Sequence, residues 1–115
     1  MARLEIGLDL EQLRALAEQA IDKHFDPVRK RMALYTRKVA EARRHLAGEP
    51  SDMLNREAQI RHVKADEIAR QVVALAEADE ATEPQRVALK MKVRKALTPQ
   101  KIRKLLADNG ISLNA

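Results

Sequence analysis

Apolar positions between residues 28 and 46 fall at Val28, Met32, Tyr35, Val39, Ala42 and Leu46, with spacings of 4, 3, 4, 3 and 4. Alternating steps of three and four keep side chains on one stripe of an α-helix, as in a heptad seam. Phe25 and Ile21 continue the stripe backwards in the same register. Arg29, Lys30, Arg31, Arg37, Lys38, Arg43 and Arg44 flank it. The pattern predicts a helix from Pro27 to about Ala47, a rod of about 32 Å at the usual rise per residue.

The remaining elements follow from punctuation. No clear period marks residues 1–8, which read as coil. Asp9 followed by Gln12 has the spacing of a capping box. A first helix with Leu10, Leu13, Leu16, Ala17, Ala20 and Ile21 on one side is expected after it. Asp26-Pro27 predicts a kink or short break at Phe25-Asp26, because proline disfavours helix at the residue before it. Gly48-Glu49-Pro50-Ser51 is a turn. A third helix should start near Asp52 and reach about Ala78. Its seam is Leu54, Ala58, Ala65, Ile68, Val72 and Leu75, with Arg61 interrupting it. Two helices joined by so short a turn predict an antiparallel αα-hairpin.

Thr82 and Gln85 repeat the capping-box spacing. In the segment that follows, Val87, Leu89, Met91 and Val93 alternate as a strand would. Its Ala, Lys and Met content and the absence of a partner strand favour helix. Thr98-Pro99 opens a last helix as N-cap and first helical residue. Ile102, Leu105 and Leu106 form its apolar face, and Gly110 ends it. Ile111 then sits where a Schellman motif would bring it to Leu106. The fold class is all-α: a long antiparallel helical hairpin with a short N-terminal helix and a basic C-terminal helix pair. Residues 1–83 are expected to form the hairpin and oligomerisation region, and residues 84–115 the basic pair.

Composition narrows the chemistry. Among 115 residues there are one Phe, one Tyr, no Trp and no Cys. The core must therefore be aliphatic, and much of the apolar content is Ala, which buries little area. Helices with a thin core gain stability by packing against a partner or another copy. Without cysteine there is neither a disulfide framework nor thiolate chemistry. A reducing, intracellular setting is expected, in the cytoplasm or in a particle assembled there. No stretch approaches the ~20 apolar residues that span a bilayer.

Charge runs in four alternating blocks. Residues 1–25 carry 3 Lys+Arg against 5 Asp+Glu; residues 26–47 carry 7 against 2. Residues 48–83 carry 4 against 9, and residues 84–115 carry 8 against 1. The basic second helix should lie against the acidic third block. The last block has no equal counterweight and is the best candidate for a binding surface, for an acidic protein partner or nucleic acid, through Lys90, Lys92, Arg94, Lys95, Lys101, Arg103 and Lys104. Two short basic helices with a tight joint invite a helix-turn-helix reading, but the joint holds Pro and no Gly. So few aromatics disfavour base stacking on single strands.

Catalysis finds no support. Ser51 and Ser112 are the only serines, and His24, His45 and His62 are scattered. Glu41 with His45, and His62 with Asp66, have the i, i+4 spacing of two metal ligands, but such pairs are ordinarily exposed helix pairs. No catalytic, cofactor or metal residue is assigned. Three isolated glycines form no phosphate loop. The leading reading is a non-enzymatic assembly or adaptor protein. It self-associates through Ile21, Phe25, Val28, Met32, Tyr35, Val39 and Leu46, or joins a larger protein particle, as small helical components of viral particles do. The alternative is a small nucleic-acid-binding protein that uses residues 84–115.

Overall fold

A computed structural model describes residues 9–113, and among them every regular element is an α-helix. In chain order they are α1 (Leu10–Leu46), α2 (Asp52–Arg61), α3 (Ala65–Glu80), α4 (Thr82–Lys95) and α5 (Pro99–Asp108). The coil expected over residues 1–8 lies outside the described residues. No helix of the described residues is long and apolar enough to cross a membrane.

Capping chemistry sets most of the boundaries. At the start of α1, the Gln12 N–H donates to Asp9 Oδ1 at 2.7 Å and the Asp9 N–H to Gln12 Oε1 at 3.0 Å. That is the reciprocal capping box. At its end Gly48 adopts φ 98°, and the Glu49 N–H returns to the Arg44 carbonyl at 3.0 Å. This six-to-one bond is a Schellman closure, for which a glycine at positive φ is well suited. Ser51, in extended geometry, caps α2 by accepting the Leu54 N–H. Thr98 caps α5 by accepting the Lys101 N–H, with Pro99 in the first turn. At the far end of α5, Gly110 has φ 67° and the Ile111 N–H reaches the Leu106 carbonyl at 2.9 Å.

Three local expectations are corrected. No break occurs at Phe25-Asp26; α1 is continuous through Pro27. Proline inside a helix costs about 3 kcal/mol through the lost donor and ring clash. The helix is anchored on either side of the proline: Ile21 is buried in a hydrophobic cluster, and Arg31 pairs with the buried Asp79. The third helix is not single but stops at Arg61 and restarts at Ala65. His62 takes the left-handed conformation, φ 55°, and the Val63 N–H bonds the Ala58 carbonyl at 3.1 Å. Thr82 is the first residue of α4, and Ala81 before it keeps right-handed helical dihedrals. Thr82 is thus not the extended cap its spacing with Gln85 predicts. The ambiguous segment around Val87–Val93 is helix, within α4.

The chain divides into two compact units. The first comprises the described parts of Met1–Pro27 and Thr82–Ala115; the second is Val28–Ala81. The second unit ends at Ala81, and the start of α1 groups with the C-terminal helices. The core of the first unit joins Leu13, Ala17 and Ile21 of α1 to Leu89 and Val93 of α4, Ala96, Ile102 and Leu106 of α5, and Ile111. The i, i+4 steps in each helix place these residues on single faces. Phe25 is half-buried against this cluster. The core of the second unit is smaller: Ala42, Leu54, Ala58, Ile68 and Ala69. Only two of those five side chains are larger than alanine.

Candidate functional site

Ion pairs organise both units, and they follow the charge blocks. In the first unit α4 faces the acidic start of α1. Arg86 donates to Asp22 at 2.6 Å, and Lys90 reaches the same carboxylate at 2.9 Å. Arg94 meets Glu18 at 2.8 Å. Arg86 is the anchor: only 14% of its side chain is exposed, and it also grips Glu83 through two nitrogens. Burial pushes the Asp22 carboxyl up, but hydrogen bonds from Lys90 and Arg86 outweigh that and hold it below its ordinary value. Hydrogen bonds to Glu83 and Asp22 raise the Arg86 guanidinium well above its ordinary range. Deeper in the unit, Arg14 donates to the Ala96 carbonyl.

In the second unit the basic part of α1 faces the acidic third block. Arg31 makes a two-pronged bond to Asp79, at 2.8 and 2.6 Å, and Asp79 is buried. The Arg31 hydrogen bonds hold the Asp79 carboxyl down against the opposing effect of burial. Lys38 and Arg61 both bind Glu57, and their hydrogen bonds lower its pKa. Arg43 reaches Glu80 at 3.3 Å. Arg31 and Arg43 are about 18 Å apart along α1 at the helical rise, yet their partners are consecutive residues. Two arginines of α1 thus converge on the end of α3.

Between those arginines lies a groove of about 610 Å³. Met32, Tyr35, Thr36, Val39 and Ala40 of α1 line one side, and Gln71, Val72, Leu75 and Ala76 of α3 the other. It is open: Tyr35 is 40% exposed and Leu75 46%. The ion pairs Arg31–Asp79 and Arg43–Glu80 contribute to its lining.

The predicted seam is divided by this arrangement. Ile21 is buried and Phe25 half-buried in the first unit. Val28 is half-buried, Met32, Tyr35 and Val39 line the groove, and Leu46 is exposed near the end of α1. The basic surface is divided too. Lys90 and Arg94 are engaged with Asp22 and Glu18. Lys92, Lys95, Lys101 and Lys104 surround a second hollow of about 360 Å³, together with Ala96, Leu105 and Asp108. Arg103 is exposed but does not line that hollow.

The metal-ligand pairings are rearranged. His45 bonds Asp66 through Nε2 at 2.5 Å, with Nδ1 buried and unpartnered. His62 and Asp66 do not share a helix face, because the chain leaves the helix between them. Among the described residues no three His, Cys, Asp or Glu side chains gather as a metal site would need. No family model, curated protein or solved structure matches this chain.

Proposed function

We propose that the chain is a non-enzymatic helical assembly or adaptor protein that pairs with a second copy through the groove of its second unit. The observation that carries this is the imbalance within that unit. Its core buries only Leu54 and Ile68 as large side chains, while Met32, Tyr35, Val39, Val72 and Leu75 line an open surface. Burying one such side chain fully is worth about 1.5–3 kcal/mol, so covering the groove adds stabilisation that the core alone does not supply. The charges at its rim are already paired within each copy, Arg31 with Asp79 and Arg43 with Glu80, so a two-fold pairing can bring the apolar linings together without burying these four as unpaired charges.

In this reading the second half of α1 and the α2–α3 arm act as an antiparallel hairpin with a broken return arm. The pairs Arg31–Asp79 and His45–Asp66 run in opposite order along α1 and α3 and favour this reading, whereas Arg43–Glu80 crosses between them. The absence of cysteine supports a reducing compartment, the cytoplasm or a particle assembled there.

Sedimentation equilibrium of the full chain tests the pairing. A mass of twice 13.0 kDa is expected. Leu75→Arg should weaken association about 100-fold, as a charge placed in an apolar contact does. Leu34→Arg, outside the groove lining, should leave it intact. A constant 13.0 kDa across concentrations, or equal effects of the two variants, overturns the proposal.

A further inference from the structure

A different surface, in the first unit, has a different character. Of the eight cationic residues in 84–115, three are engaged with the start of α1. Arg86 and Lys90 bind Asp22, and Arg94 binds Glu18. They neutralise the acidic start of α1 and hold it to α4, so they are structural. Four others point elsewhere. Lys92 and Lys95 are three residues apart on α4, and Lys101 and Lys104 three apart on α5. Residues at that spacing share a helix face, with about 5–6 Å between their Cβ atoms. All four are exposed, and all four line one hollow. The one carboxylate there, Asp108, accepts from Lys104 at 3.0 Å. Two pairs of ammonium groups thus face a common space from two helices.

We infer that this four-lysine hollow is a docking surface for the sugar-phosphate backbone of a nucleic-acid duplex, bound without regard to sequence. The ligand class follows from what the face offers. Lysines are point charges suited to phosphate, and they carry none of the planar fork that reads guanine edges. The floor is Ala96 and Leu105. Neither of the described aromatic side chains lies here: Phe25 packs on the core of the first unit, and Tyr35 lines the groove of the second. Base stacking on an unpaired strand has no platform at this face, whereas a duplex presents an unbroken track of phosphates. The surface is narrower than charge counting predicts, since Lys90 and Arg94 are already engaged. It is also independent of the groove, so either proposal can fail alone.

The test is a titration of the full chain with a fluorescein-labelled 20-base-pair DNA duplex at several salt concentrations. Neutralising a lysine that touches phosphate lowers the slope of log K against log salt by about 0.9. Lys95→Gln and Lys101→Gln should each lower it by about that amount, and together by about twice as much. Arg70→Gln, on the exposed side of α3 in the other unit, should leave it unchanged. Circular dichroism of each variant checks that the helices remain. No binding at about 20 mM salt, where such contacts are strongest, overturns the inference. So does equal loss with Arg70→Gln. Polyglutamate that competes as well as unlabelled duplex would assign the face to an acidic protein and overturn it too.

Discussion

Leu54→Ala is the sharpest probe of the second unit. Leu54 is fully buried, in a cluster whose other members are Ala42, Ala58, Ile68 and Ala69. The substitution removes three carbons, about 2.4 kcal/mol of transfer free energy at ~0.8 kcal/mol per group. The void left behind adds about 24 cal/mol per Å³ that the surroundings fail to fill. Three of the four neighbours are alanines with no rotatable side chain to swing inward, so little relaxation is available. The total should be near 4 kcal/mol, towards the upper end of the range for such truncations. Urea unfolding followed at 222 nm, at one fixed protein concentration, measures it. Leu46→Ala is the control: that side chain is 45% exposed, and its loss should cost less than about 1 kcal/mol. A cost below about 1 kcal/mol at Leu54, or equal costs at the two sites, would refute this account of the core.

Two further outcomes concern local geometry and pH. His62→Gly should be neutral or stabilising by up to about 1 kcal/mol, because glycine accepts the left-handed conformation freely; His62→Val should destabilise, and the same urea assay reads both. Asp22, Asp79 and Glu57 all have pKa values held below their ordinary ones. The unfolded chain therefore binds protons first as pH falls. The stability these groups contribute is full above about pH 5 and is lost progressively through the ordinary carboxyl range and below. Asp79→Asn should flatten that acid limb in pH-dependent urea unfolding, and an unchanged limb would count against the Arg31–Asp79 pairing.

Much of the helix architecture is written in short-range signals. The Asp9/Gln12 box, the Thr98-Pro99 start and the Gly110-Ile111 stop each involve residues a few positions apart, and each appears in the structure. The helix continues through Pro27 although local proline chemistry favours a break there, and its anchors at Ile21 and Arg31 engage residues far away in sequence. The stop at His62 carries no glycine to announce it, since here a histidine adopts positive φ. The signal present was Arg61, which breaks the seam between Ala58 and Ala65.

Legibility of the surfaces differed for the same reason. The stripe from Val28 to Leu46 is visible because a helix repeats locally. The division of Ile21 and Phe25 from Met32, Tyr35 and Val39 depends on segments far away in sequence. The charge blocks announced that the basic part of α1 would meet the acidic third block, as Arg31–Asp79 and Lys38–Glu57 do. They did not announce that Glu18 and Asp22 would engage Arg94, Arg86 and Lys90, some 64 to 76 residues on. Counting charges does not separate the cations paired to α1 from Lys92, Lys95, Lys101 and Lys104.

Self-pairing through the groove can be watched at one residue. Tyr35 is the only tyrosine, there is no tryptophan, and its ring lines the groove. Acrylamide quenching of its fluorescence should fall as protein concentration rises and the ring is covered. In Leu75→Arg it should stay high throughout. Quenching that is equally strong at every concentration of the unaltered protein would contradict the claim that a second copy closes this surface.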